Sequence, residues 1–359
     1  MKIAYYIYWL DGFESGVMKK ITDQITFWIS KNNEVKLFVY TNKNSTFEND
    51  YKTKKKQLSF DLELFNFSGR INELKNSSKI YDAINNYNPD LIYMRECKFY
   101  PYVYKLNKKF TSIVELNSII GNEQSKKSIQ YWYNKLTFSL KFKYINAFIA
   151  VTNEIAEHKT FSKFKAPKYI IGNGIDLSKY RITKVENNTI DLVFIGTDGQ
   201  KWHGVDKILE LAKIKTNWHF HIIGISNTKL KLKNITFYGV LNKNEYQIIF
   251  NSIDVAIGTL ALHRKKMEEA CPLKTREYLA NGLPVIIGYR DVDFLEEVEY
   301  ICELPNTKTN LINNIKKIEN FVAFWKDKRI NKNRIKHIGT SHKEELRLDI
   351  FKTTIENAK

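Results

Sequence analysis

The stretch GTLALHRKKMEEACPLKTREYLANGLPVIIGY, residues 258–289, runs from a polar loop into a helical pattern and then through Asn281 and Gly282 into the apolar run Val285–Ile287. Pro272 suits the first turn of a helix, where its missing N–H has no intrahelical partner to lose. A helix starting there leaves unpaired N–H groups near Leu273, Lys274 and Thr275, a ready place for an anion. Glu269 and Glu277, with seven residues between them, flank that helix start. A helix that ends at glycine and hands over to an apolar strand is one step of a parallel α/β layer.

The same alternation continues outward. Asp191–Gly196 (DLVFIG) reads as a strand ending in glycine, followed by a helix over Val205–Ala212 and strands at Trp218–Ile223, Ile235–Phe237 and Val255–Ile257. In the first half Lys2–Trp9 reads as a strand, a loop with Gly12 and Gly16 follows, and Val17–Ile29 is helical. Strands recur at Val35–Tyr40, Asp90–Met94, Ser112–Leu116 and Ala147–Val151. The expected fold is α/β, with two Rossmann-like doubly wound domains facing a central cleft. Residues 1–170 are expected to form the first domain, 171–340 the second, and 341–359 a terminal helix crossing back to the first. Such sheets bind ligands at their strand carboxyl ends, so the site is expected to draw on both halves.

Bulk composition agrees with two folded domains. A chain of 359 residues exceeds the size of one hydrophobic core, and 43% apolar residues suffice to fill two. Three cysteines, Cys97, Cys271 and Cys302, form no CxxC pair and predict neither a disulfide framework nor a zinc knuckle. No stretch approaches the roughly 18 apolar residues of a membrane span, and the N-terminus lacks a signal-peptide pattern, so a cytoplasmic location is expected. The net charge of +18 calls for an anionic partner: a phosphorylated substrate, an acidic membrane surface or nucleic acid. Absence of GxGxxG from the first glycine loop argues against a dinucleotide enzyme.

The Glu269–Glu277 spacing, the Pro272-Leu273-Lys274 turn and EYLANGLPVI (277–286) together resemble the retaining GT-B glycosyltransferases of family 4. The resemblance implies sugar transfer from a UDP or GDP sugar. Glu269 is then expected near the transferred sugar, Glu277 on the nucleotide ribose, and Pro272, Leu273, Lys274 and Thr275 around the donor phosphates. FIGTDGQKWHGVDKILELAK (194–213) is similar to the family's glycine-ended strand and its KG pair, which adds Gly196, Lys201 and His203 to the donor set. It departs from the pattern at Thr197 and His203, where the family often carries Arg and Lys. A departing nucleoside diphosphate needs positive charge. Arg264 and Lys274 are expected to supply it first, then Lys201, and His203 if the phosphates protonate it. Gly16 is expected to approach the donor through its backbone, and Gly239 and Val240 to meet the base edge, which leaves uracil or guanine undecided.

Arg95 and Glu96 follow one strand and Glu115 and Asn117 end another, so these four are expected on the acceptor side; the histidine the family often has near Asn117 is absent. VTNEI (151–155) and NGID (173–176) resemble the family's interdomain elements. Between Asp191 and Tyr289 there is no Asp-x-Asp pair, and no metal or other cofactor is expected. The expected partners are a nucleotide-sugar donor and a glycan or lipid-linked acceptor, as in surface polysaccharide assembly. KKSIQYWYNKLTFSLKFKYINAF (126–148) mixes lysine with aromatic residues and suits either a packed helix or a helix lying on an anionic membrane, the inner face of the cytoplasmic membrane in that case. No nucleic-acid-binding module is recognisable and no nucleic acid is expected. Three rivals remain open: a GT-B sugar-nucleotide epimerase, a basic nucleic-acid-binding protein, and a sugar-nucleotide sensor without turnover.

Overall fold

A computed structural model describes residues 1–119, 128–226 and 232–358. The chain divides into two compact units, Met1–Gly174 together with Thr340–Lys359, and Ile175–Gly339. The terminal helix thus belongs to the first unit.

The first unit alternates strands and helices in chain order. These are β1 (Lys2–Tyr8), α1 (Gly16–Ser30), β2 (Glu34–Asn42), α2 (Thr46–Lys54), β3 (Asp61–Phe67), α3 (Arg70–Tyr87), β4 (Leu91–Arg95) and α4 (Pro101–Lys109). Then come β5 (Ser112–Leu116), α5 (Ile129–Phe142), β6 (Ala147–Ala150), α6 (Asn153–Glu157) and β7 (Lys168–Ile170). The seven strands form one sheet in the order β3-β2-β1-β4-β5-β6-β7, all pairs parallel. Central strands are continuous apolar runs because helices cover both faces; Ile3, Tyr5, Leu37, Tyr93, Ile113 and Ile149 are all fully buried. The edge strand β3, DLELFNF, is covered only in part and alternates polar with apolar residues, which is why its sequence does not read as a core strand. α1 starts where Ser15 accepts the Met18 N–H, a cap of about 1 kcal/mol.

The second unit repeats the plan with β8 (Ile190–Ile195), α7 (Val205–Ile214), β9 (Trp218–Ile223), β10 (Ile235–Gly239), α8 (Lys243–Ser252) and β11 (Val255–Ile257). It continues with β12 (Glu269–Ala270), α9 (Leu273–Ala280), β13 (Val285–Ile287), β14 (Arg290–Asp291), β15 (Ile301–Glu303) and α10 (Ile315–Trp325). Its main sheet has the order β10-β9-β8-β11-β13-β15, and β12 pairs separately with β14. Both main sheets therefore reverse strand order beside their first strand, between β1 and β4 and between β8 and β11. Such a switch point opens a crevice at the strand carboxyl ends.

The terminal helix α11 (Thr340–Ala358) packs on the first unit through Leu348 and Phe351. Glu344 accepts hydrogen bonds from Trp28 Nε1 (2.9 Å) and Gln24 Nε2 (3.3 Å), and pairs with Arg347. In α5, Phe138 and Phe142 are buried among Phe148, Phe161 and Phe164, so that part of the aromatic content is packing. The opposite face is different: Ile129, Trp132, Leu136 and Leu140 recur at helical spacing and are all exposed, Leu136 by 77% and Trp132 by 51%. Lys126 and Lys127 of that stretch lie outside the described residues. Among the described residues no helix is long and apolar enough to cross a membrane.

Candidate functional site

The second unit's switch point is built by the end of β8. β11 pairs with β8 only at Leu192 and Val193. Beyond Val193 the two strands part, and α9 fills the gap. Tyr278 OH accepts the Ile195 N–H (2.7 Å) and Lys274 Nζ donates to the Ile195 carbonyl (3.2 Å). Residues 274 and 278 share one helix face, so α9 takes over both backbone groups of the strand's last residue. Close approach then demands glycine. A Cβ on Gly224, which has φ +79°, would stand 2.1 Å from the Gly196 carbonyl oxygen, and one on Gly196 would lie 2.4 Å from the Phe194 ring.

Pro272 is the N-cap of α9, and the helix begins at Leu273. Thr275 and Arg276 N–H both donate to the Pro272 carbonyl (3.1 and 3.3 Å). The N–H groups of Leu273 and Lys274 therefore carry the helix's positive end. Thr275 does not join them: its hydroxyl is buried against Tyr289 OH (2.8 Å) and its N–H is already bonded, so the expectation that it faces a donor is corrected.

Lys274 lies over the Phe194 ring, 4.2 Å from its centroid. Burial pushes its pKa down to about 7. His203 sits beside it, with Nδ1 buried and without a hydrogen-bond partner. Burial, and then the charges of Lys274 and Lys265, hold its pKa down at about 3. His203 is expected to carry charge only if the donor phosphates protonate it, and in the ligand-free chain its surroundings disfavour the charged ring. Arg264 is likewise committed elsewhere. Its Nη1 and Nη2 donate to Asp206 (2.8 and 2.6 Å), and Nη1 also donates to the Lys201 carbonyl (2.7 Å). It braces the 262–265 turn against the start of α7 rather than standing open to a phosphate. Lys201 opens the turn at 201–203 and is exposed.

Glu277, one turn into α9, accepts through Oε1 from Tyr246 OH (2.8 Å) and Tyr180 OH (3.4 Å). Tyr246 is buried on α8. Neither tyrosine is legible as a site residue, because only the fold brings α8 and the 180 loop to α9. Glu269 lies on β12, in register with Arg290 of β14. Between Glu269 and the helix start is a buried clamp that the sequence also hides. Arg276 donates to Asp291 (2.8 and 2.6 Å), Asp293 (2.7 Å) and Cys271 Sγ (2.7 Å). Cys271, Asp291 and Asp293 lie close enough together to hold a metal ion, but the guanidinium already stands among them. Val240, just past the positive-φ Gly239, is 90% exposed. Gly16 belongs to the first unit, where it opens α1.

The four acceptor-side residues are also in the first unit. Glu96 pairs with Lys141 (3.0 Å), and Asn117 Nδ2 donates to Glu115 Oε1 (2.9 Å). Glu115 is not an open polar group as expected from the sequence: it is wholly buried. Lys20 Nζ donates to it (2.8 Å), as does Tyr93 OH, while Arg95 and Arg347 stand 3.6 and 3.7 Å away. Burial raises its pKa, but Lys20, Arg347 and Arg95 outweigh that and hold the carboxyl well below the usual range.

No protein-family model and no curated protein sequence matches the chain. Solved structures do. The pneumococcal O-GlcNAc transferase GtfA, in complex with UDP and GlcNAc, aligns at a TM-score of 0.66 and 11% identity over 98% of this chain and 99% of that one. An alpha-glucosyltransferase in complex with UDP-glucose and DNA containing an abasic site aligns at 0.63 and 13% identity, covering 98% and 99%. UDP-GlcNAc 2-epimerase from Neisseria meningitidis aligns at 0.58 and 11% identity, covering 97% and 99%. The architecture of two Rossmann-like units is the GT-B fold of these enzymes.

Proposed function

We propose that the chain is a retaining, metal-independent glycosyltransferase that moves a sugar from a nucleoside-diphosphate sugar to a glycan or lipid-linked glycan. The observation that carries this reading is α9. Its open N–H groups, Lys274 and Glu277 meet at the switch point of a Rossmann-like sheet, the arrangement a nucleoside diphosphate needs. The diphosphate accepts from the Leu273 and Lys274 N–H groups, Glu277 takes the ribose diol, and Glu269 faces the sugar. In the transfer the bond from the anomeric carbon to the phosphate oxygen breaks and the acceptor oxygen bonds to that carbon on the same face. The acceptor's proton passes to the leaving phosphate, whose charge is met by the helix N-terminus and by Lys274. That the neighbours GtfA and the alpha-glucosyltransferase were solved with UDP or UDP-glucose supports a uridine donor.

Two further readings have an observation each. The epimerase neighbour uses the same fold, so action on the donor's own ring is the enzyme alternative. It is weakened by the Glu269–Glu277 pair and the Pro-Leu-Lys turn. The alpha-glucosyltransferase was solved with DNA, and this chain carries +18, so a nucleic-acid acceptor is the other. The exposed apolar face of α5, with Lys135 4.8 Å from the Trp132 ring, supports peripheral contact with an anionic membrane, where each basic residue contributes about 1 kcal/mol.

The deciding experiment is a thermal-shift series with UDP, GDP, UDP-GlcNAc and a short DNA duplex. Stabilisation by one nucleoside diphosphate supports the reading, and a ligand at about 100 times its Kd adds about 2.7 kcal/mol. Stabilisation by DNA alone refutes it. Conversion of UDP-GlcNAc to its epimer without acceptor hands the case to the epimerase.

A further inference from the structure

The first unit's sheet has its own switch point, and its chemistry is unlike that of the second. β1 pairs with β4 only from Ile3–Leu91 to Tyr6–Met94. Past that register the strands part: Trp9 stays with β2 through its N–H to the Tyr40 carbonyl (3.0 Å), and Arg95 stays with β5 beside Glu115. The guanidinium bridges the opening, its Cζ 5.6 Å from the centre of the Trp9 ring.

Behind Arg95 lies a charge cluster that is unbalanced among the described residues. Lys20, Arg95 and Arg347 share two carboxylates, Glu115 and Glu344. Lys20 is held at 2.8 Å by Glu115 and also donates to Asn173 (2.8 Å), and Arg347 pairs closely with Glu344. Arg95 is the loosest, at 3.6 Å from Glu115, beyond a hydrogen bond. It is also the only one of the three cations with real exposure, 18% of its side chain against 4% for Lys20 and 1% for Arg347. The surplus positive charge of a low-dielectric cluster is thus displayed to solvent through one planar fork. Lys20 and Arg347 repel that fork, and the Trp9 ring lies beneath it as a cation–π partner.

We propose that Arg95, held by Trp9, binds an anionic saccharide at the first unit's switch point, a sugar carrying a phosphate or a carboxylate. The proposal rests on the transferase reading in that this saccharide is its acceptor. The guanidinium takes the anionic group in a two-point contact, and the amide oxygen of Asn117, whose Nδ2 is tied to Glu115, faces a sugar hydroxyl.

The test uses the full chain without nucleotide, titrated calorimetrically with glucose 1-phosphate, glucuronate, glucose and inorganic phosphate. Glucose 1-phosphate or glucuronate should bind at least about tenfold tighter than glucose, and the tighter of the two names the anionic group. Arg95→Gln should weaken that binding by about tenfold to a hundredfold, and Arg95→Lys by less. Arg95→Gln should also melt no lower than the parent chain, because it relieves the surplus charge; a lower melting temperature would make Arg95 the needed counter-ion of Glu115 and overturn the proposal. Equal binding of glucose, inorganic phosphate as good as the sugar phosphate, undiminished binding by Arg95→Gln, or no binding of either anion would overturn it too. UDP and GDP titrated into the same variant keep the two readings apart. Nucleotide binding without saccharide binding sinks only this site, and the reverse sinks only the donor assignment.

Discussion

Lys274 and Glu277 stand three positions apart on α9 and do opposite electrostatic work. Lys274 is an ammonium drawn over an aromatic ring and a carbonyl, with its pKa pushed down to about 7 by burial. Deprotonation proceeds as pH rises through that value, so the free chain loses this cation above neutrality. Nucleoside-diphosphate affinity should therefore fall from pH 6 to pH 8, and a bound diphosphate should restore the proton. Calorimetry in two buffers of different ionisation enthalpy will read proton uptake on binding, and Lys274→Met should show neither the uptake nor the slope. Glu277 has its rotamer set by Tyr246 and Tyr180. Glu277→Ala should weaken nucleotide binding by about 1.5–3 kcal/mol, and Tyr246→Phe by about 1 kcal/mol. Glu269→Ala should leave nucleotide affinity nearly unchanged while slowing transfer, a split read by titration beside turnover. Parent-like behaviour in both glutamate variants would remove the donor assignment.

At the scale of elements, α9 is only eight residues long, too short to hold its place by helix propensity. It is held by contacts at both ends: Tyr278 and Lys274 on β8, and Arg276 on the Cys271, Asp291 and Asp293 groups. The carboxylates of the Asp-x-Asp pair at 291–293 serve this clamp. Arg276→Met would remove the cation that the two carboxylates share, Asp291 fully buried and Asp293 nearly so, and should cost about 3–5 kcal/mol in urea unfolding. Loss of less than about 1 kcal/mol would show that the clamp is dispensable. α11 is a second borrowed element, tied to α1 through Glu344 and to the core through Phe351.

For the whole molecule, charge and one apolar face set the outlook. The chain carries 57 basic against 39 acidic side chains, and the outer face of α5 adds four exposed apolar residues in a row. Sedimentation with vesicles containing an anionic lipid should show binding that weakens with salt. Trp132→Ser with Leu136→Ser should reduce that binding and leave nucleotide affinity intact. Equal sedimentation with neutral vesicles, or an unaffected double variant, would count against a membrane role.

The two doubly wound sheets were legible because a parallel strand buried on both faces must be an apolar run, and the glycine after β8 because a strand end approached by backbone tolerates no Cβ. The α9 start was legible for a local reason too, a proline at the helix entrance, where its missing N–H has no intrahelical partner to lose. Edge strand β3 was not, since half-covered strands lose that signature. What only the tertiary structure decided is the state of each charge. Arg264 is spent on Asp206, burial disfavours the charged form of His203, Glu115 is sealed among cations, and Lys274 stands at the end of β8 with its pKa lowered by burial. A side chain's charge and freedom depend on the dielectric and on partners from distant parts of the chain, such as Glu115 for Lys20, 95 positions away, and no local pattern carries that information.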